Sequence, residues 1–378
     1  MVTEIEEKDM MYAEGAILRR ITYRELKDKT YDTHGDDYGV VSDYFNNNTK
    51  KALLSNPNYD DDTKTVLNIV IYKDEIVGRH MLMPTQIKIG DRTVKAQTGG
   101  GHEINDKFQG KGFGTLVVHD TILNSEYPIY IGQLYSSGAI SILKKMDICI
   151  FGKPLYNKDR KKRSVLVAKG YRGIRLAWRS FWGDLRLRFA EIPNMIRFYK
   201  LKCKYIIKQE KEIPEWITEM VLQDGHKYME IHDREWFQWN LENTFSSNAH
   251  DKNYFYAVYE KDGTPAGFYM TKERFEENKK GTFKNLVRGT VVEWGSSNEC
   301  KLSEFDLNIM ALFTFGKQVD KVNTVISSSN SELEMKKLGF EFRGIYQMTF
   351  KPSADCGEEM RDQENWRIRY GGCNTILV

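Results

Sequence analysis

Cysteine is scarce in this chain of 378 residues: Cys149, Cys203, Cys300, Cys356 and Cys373 are scattered, odd in number, and form no Cys-x-x-Cys pair. That excludes a disulfide framework and leaves no zinc or redox motif. Reduced thiols in a cytosolic setting are expected. Long apolar runs are missing too, since none approaches the roughly 20 residues of a membrane-spanning helix. The N-terminus carries Glu4, Glu6 and Glu7 and has no apolar signal core. A soluble, cytoplasmic protein is expected, either free or peripheral to the inner face of a membrane, and no metal site is indicated.

What is present is enough apolar sequence, 40%, for full cores, in a length comfortable for two domains. The net charge of +3 hides an asymmetry. Residues 158–208 carry a net +13, so the remainder carries −10. The same stretch holds Tyr171, Trp178, Phe181, Trp182, Phe189, Phe198 and Tyr199. It reads either as linking helices with aromatics packed inward, or as a basic amphipathic segment for an anionic membrane surface or another polyanion. No nucleic-acid module is recognisable, so nucleic acid is the less favoured partner.

The sharpest local pattern is Gln109-Gly110-Lys111-Gly112-Phe113-Gly114. It follows a strand-like stretch, Thr98 to Ile104, and precedes helical apolar spacing over Thr115 to Leu123. A glycine turn at a helix start exposes backbone N–H groups at the positive end of the helix dipole, which suits a phosphate. The order fits neither the dinucleotide fingerprint nor the Walker A loop.

It does match Gln/Arg-x-x-Gly-x-Gly/Ala, and so resembles the acyl-CoA pyrophosphate loop of the GNAT superfamily of N-acetyltransferases. Strand-like residues 65–72 and 76–83 around Lys73-Asp74-Glu75 are similar to the hairpin before that loop. The resemblance covers about residues 12–156. It implies an α/β fold with a mixed sheet, and acetyl-CoA as co-substrate with an amine acceptor. The implied cofactor-binding residues are Ile104, Asn105, Gln109, Gly110, Lys111, Gly112, Phe113 and Gly114. The thioester carbonyl would bond to backbone N–H groups from about Glu103 to Asn105. In the family a Tyr often protonates the leaving thiolate; Leu143 stands at that position.

A second hairpin, 254–259 and 266–270 around Glu260-Lys261-Asp262-Gly263, repeats the first. Residues 330–340 echo 139–146. The chain therefore reads as two GNAT-like units joined by a basic helical segment: 1–156, 157–212 and 213–378. The second unit lacks the glycine loop; Gly295 to Asn298 and a helix at 304–318 offer no equivalent, so only the first unit is expected to bind acyl-CoA. The tail from Asn365 to Asn374, and Trp239, resemble bacterial two-unit members associated with surface-polysaccharide clusters, which would imply an amino-sugar acceptor.

Amide formation needs a neutral amine, a polarised carbonyl and a protonated leaving group. Glu103, on the cofactor strand, is the first candidate base, because partial burial can raise a carboxylate toward working pH. His102 is the alternative, on the opposite face of a regular strand. Val378 is a third, because in N-myristoyltransferases the C-terminal carboxylate serves as base. Tyr135 is the candidate acid. Two other classes stay open: a FemABX-like transferase using aminoacyl-tRNA, and a non-catalytic acyl-CoA-binding protein.

Overall fold

The computed structural model describes residues 15–133, 137–146, 148–245, 251–276, 286–300, 302–326, 331–352 and 357–372. Tyr135 and Val378 lie outside the described residues. The first half lays down β1 (Ala16–Thr22), β2 (Thr65–Tyr72), β3 (Glu75–Ile89), β4 (Arg92–Ile104) and β5 (Tyr130–Gln133). Between them run α1 (Tyr23–Asp28), α2 (Asn47–Leu54) and α3 (Phe113–Leu123), with α4 (Ser137–Leu143) after β5. The first hairpin closes on Lys73 and Asp74, both at positive φ, as a two-residue hairpin turn demands. β2 reads Thr-Val-Leu-Asn-Ile-Val-Ile-Tyr without alternation because six of its residues are buried, with cores on both faces.

Then come β6 (Cys149–Asp159), α5 (Lys162–Ala168), α6 (Gly173–Lys204), β7 (Tyr205–Glu210), α7 (Trp216–Leu222), β8 (Tyr228–Glu230) and α8 (Arg234–Glu242). The second hairpin is β9 (Lys252–Glu260) and β10 (Pro265–Glu276). It is followed by β11 (Leu286–Ser296), α9 (Glu304–Thr314), β12 (Lys321–Val325), α10 (Ser331–Lys337), β13 (Glu341–Lys351) and β14 (Trp366–Arg367). The strands form one sheet in the order β1-β2-β3-β4-β5-β13-β6-β12-β11-β10-β9-β7, with β8 on the far end of β3 and β14 on β8.

The order carries an exchange. β13, near the end of the chain, pairs with β5 through Met348–Lys351, whereas β6 pairs with β12 through Leu155–Asp159. β13 and β6 then pair antiparallel with each other. Each half therefore receives its closing strand from the other. A boundary at 156/157 falls inside β6, and one at 212/213 falls after β7, already paired with β9. Local periodicity finds the strands but does not reveal which strand closes which half.

Helix α3 covers one face of β2, β3 and β4, over a core of Val70, Leu82, Phe113, Val117, Val118, Ile122 and Tyr130. A different core joins Tyr23, Leu53 and Met81 to Trp236, Phe237, Trp239 and Phe268 of the second half. There the Trp239 Nε1–H donates to the Ala52 carbonyl at 2.9 Å. In α6 the aromatics do not pack inward: Trp178, Phe181, Trp182, Phe189 and Tyr199 are exposed, while Ser180, Asn194 and Leu201 are buried. Phe198 is the exception, stacked on Phe313 with centroids 4.9 Å apart.

Candidate active site

The site starts where β4 leaves β5. The two strands run parallel but pair only over Gln97–Gly99 and Tyr130–Gly132. Beyond Gly99, β4 follows β3 alone among the described pairings. A bulge sits at this point: Glu103 faces Arg79 and Gly100 faces Met81, so Gly101 and His102 both fall opposite His80. Gly101 has φ +58, and a Cβ there would run into the Tyr44 ring. A bulge leaves a residue out of the ladder and re-aims its neighbours, a common device beside active sites.

Past the bulge the chain turns through Asn105 and the short helical turn 106–108 into the glycine loop. The Asn105 N–H donates to the Val77 carbonyl at 2.9 Å, and its side chain caps Lys107 N–H at 3.1 Å. Its N–H is thus already spent, and the donors available to a carbonyl shift toward the bulge. Gln109 folds back, its Nε2 donating to the Ile104 carbonyl (3.1 Å) and to Asp106 (2.8 Å). Gly110 (φ +77) and Gly112 (φ +83) take the left-handed conformation that glycine adopts without strain.

Gly112 is the N-cap of α3, and no side chain caps this end. The first helical bond runs from Leu116 N–H to the Gly112 carbonyl, so the N–H groups of Phe113, Gly114 and Thr115 precede it. No acidic residue lies in the first turn. Exposed Lys111 lies with Nζ 5.0 Å from the Phe108 ring centre. Loop, uncapped helix end and lysine together favour an anion.

The second half is built differently at the matching place. The N-terminus of α9 carries a complete capping box, Ser303 with Asp306, and Glu304 in its first turn. Its own carboxylates occupy the helix end where a phosphate would sit. β11 and β12 also splay, pairing only over Arg288–Thr290 and Lys321–Asn323. There the chain's own tail runs alongside: Gly371 N–H donates to the Val292 carbonyl at 2.8 Å. Arg367 donates to Glu293 at 2.7 Å, and His232 Nδ1 lies 2.6 Å from the same carboxylate. Burial opposes a charged His232, but Glu230 and Glu293 outweigh it and hold it up to about 9.

His102 and Glu103 point to opposite faces of β4. His102 turns toward α3, where a Cβ on Gly114 would lie 3.6 Å from its Nε2. Its ring centre is 5.4 Å from that of His80, whose Nε2 lies 3.3 Å from the Tyr130 hydroxyl. Burial, with Arg79 adding to it, pushes His102 down to about 4; burial and His102 push His80 down as well. Both rings are therefore neutral at pH 7. Glu103 is 54% exposed and pairs at 2.6 Å with Arg79, which is buried. The Arg79 guanidinium lies 4.1 Å from the Tyr44 ring centre and donates to the Val40 carbonyl. Leu143 is fully buried in the core beneath α3.

Beside the loop and the bulge lie His80, Tyr130, Arg79 and Tyr44, none of which belongs to the glycine motif. A histidine in the apolar strand 76–83 was a usable signal. The tyrosines and Arg79 reach the site only through tertiary packing.

No protein-family model matches the sequence, and no curated protein matches it. Solved structures do. A Saccharomyces cerevisiae N-myristoyltransferase with bound myristoyl-CoA and inhibitors aligns with a TM-score of 0.55 at 12% identity, over 93% of this chain and 86% of that one. A second, with myristoyl-CoA, gives 0.54 at 13% identity over 89% and 79%. A third, also with myristoyl-CoA, gives 0.53 at 10% over 94% and 90%. The chain shares the overall α/β fold of these N-myristoyltransferase structures.

Proposed function

We propose that this chain is an acyl-CoA-dependent N-acyltransferase whose first unit holds the donor. The observation that carries the reading is the contrast between the two helix ends. α3 begins on glycines and offers uncapped N–H groups, while α9 is closed by Ser303 and Asp306. The acyl-CoA pyrophosphate would lie on Gly110 to Gly114, with Lys111 beside it. The thioester would enter between β4 and β5, its carbonyl toward the bulge at Gly101 and His102, where donors aimed at the developing oxyanion act as preorganised electrostatics.

The acceptor amine then attacks the carbonyl carbon. The tetrahedral intermediate collapses with cleavage of the C–S bond, and the leaving thiolate takes up the proton that the base has accepted, passed on through solvent, giving an amide and the CoA thiol. Glu103, exposed and ion-paired with Arg79, is the group we assign to take the proton from the attacking amine. His102, neutral and on the donor face, is the second acceptor of a proton. Acetyl is the acyl group proposed, and an amino sugar the acceptor.

The test is thiol release from acetyl-CoA against a panel of amines, UDP-linked amino sugars first, with Glu103→Gln and His102→Asn alongside. The reading expects turnover that Glu103→Gln lowers by about 100-fold, the scale of one general base, with acetyl-CoA KM little changed. A protein that binds acetyl-CoA and never consumes it would be a binding protein. One that ignores it but shifts tRNA on a gel would be an aminoacyl transferase.

A further inference from the structure

Helix α6 is 32 residues long, about 48 Å at 1.5 Å per residue. Its inner face is short of apolar groups. Ser180 and Asn194 are buried there, with Asn194 Nδ2 donating to the Leu338 carbonyl at 3.3 Å and Leu201 in the core of the second half. The opposite face is apolar and exposed: Ile174, Trp178, Phe181, Phe189, Ile192, Ile196 and Tyr199. Apart from the two-turn step from Phe181 to Phe189, these recur every three or four residues and form one stripe on the side turned away from the protein. Trp178 is 65% exposed and Phe181 61%, and both contact Trp182, with ring centres 5.6 and 5.5 Å from it.

At 100° per residue, Arg175, Arg179, Arg186, Lys200 and Lys204 fall along one edge of that stripe, and all are exposed. We infer that α6 lies on an anionic phospholipid surface, its aromatic stripe in the headgroup boundary and its basic edge against lipid phosphates. A stripe of this length with Trp and Phe at its centre and Arg/Lys beside it is the pattern of an interfacial helix. Antiparallel self-pairing stripe to stripe would bring the two basic edges together. Nucleic acid would use the basic edge but leave the aliphatic part of the stripe in water. The inference stands independently of the acyl-transfer reading.

The experiment is co-sedimentation of the full chain with vesicles of phosphatidylcholine alone or with about a third phosphatidylglycerol, at low and high salt. Trp178→Glu/Phe181→Glu tests the stripe and Arg175→Glu/Arg186→Glu the edge, with circular dichroism and scattering as controls. The expected result is salt-sensitive binding to the anionic vesicles, weakened at least about tenfold by either pair, in variants that melt like the parent. No binding to anionic vesicles at low salt overturns the inference, as does binding that neither pair weakens. So does a stable dimer that Trp178→Glu/Phe181→Glu dissociates, which would make a second copy the occupant, or capture of RNA in place of vesicles.

Discussion

Gly110 and Gly263 make a matched pair that separates backbone strain from ligand contact. Both have positive φ, +77 and +93, and a Cβ built on either meets nothing within 4 Å. Gly110 is in the loop before α3; Gly263 is in the turn between β9 and β10. Alanine at each site costs about 1–2 kcal/mol of left-handed strain. With an unfolding entropy of about 2.1 cal/mol/K per residue, a chain of this length melts only about 2 °C lower. That shift is common to both variants. Only Gly110→Ala places a methyl in the proposed pyrophosphate site. Losing one hydrogen bond to a charged phosphate costs about 1.5–3 kcal/mol, or about tenfold to a hundredfold in affinity. Calorimetry with CoA and differential scanning on both variants reads the two effects separately. Equal affinity in Gly110→Ala and parent, or equal weakening by Gly263→Ala, would refute the assignment of the loop.

Three further outcomes follow from the same geometry. His102 titrates near 4 in the folded protein against 6.5 unfolded, so its contribution is full above pH 6.5 and is lost as pH falls toward 4; up to about 3 kcal/mol is at stake. Urea midpoints across that window should fall less steeply in His102→Asn than in the parent; parallel curves would contradict the burial. Ser303→Ala removes the α9 cap and should cost about 1 kcal/mol, without changing CoA affinity, measured by melting and calorimetry. The fragment 1–156 lacks β13, which lies between β5 and β6. It should fail to give a cooperative thermal transition, whereas a well-folded fragment would refute the strand exchange.

How much of this was legible beforehand depended on the range of the interaction. Lys73-Asp74 and Gly263 marked their hairpins, and the glycine loop announced the start of α3, because turn chemistry and periodicity are local. The bulge at Gly101 and His102 was not legible, since it is a register shift against β3 that only pairing reveals. The exchange of β13 and β6 was hidden for the same reason: both read as ordinary strands, and partner choice is set about 200 residues away in sequence. The outward aromatics of α6 broke the usual rule that large apolar side chains turn inward. Departures of this kind are expected where a surface has a second job.

One half of the fold is proposed to hold acyl-CoA and the other not. Titration of acetyl-CoA into the parent and into Gly112→Trp, followed by calorimetry, tests it most directly. The account predicts one site per chain, abolished in Gly112→Trp. No binding to the parent, binding that survives the variant, or two sites per chain would contradict it.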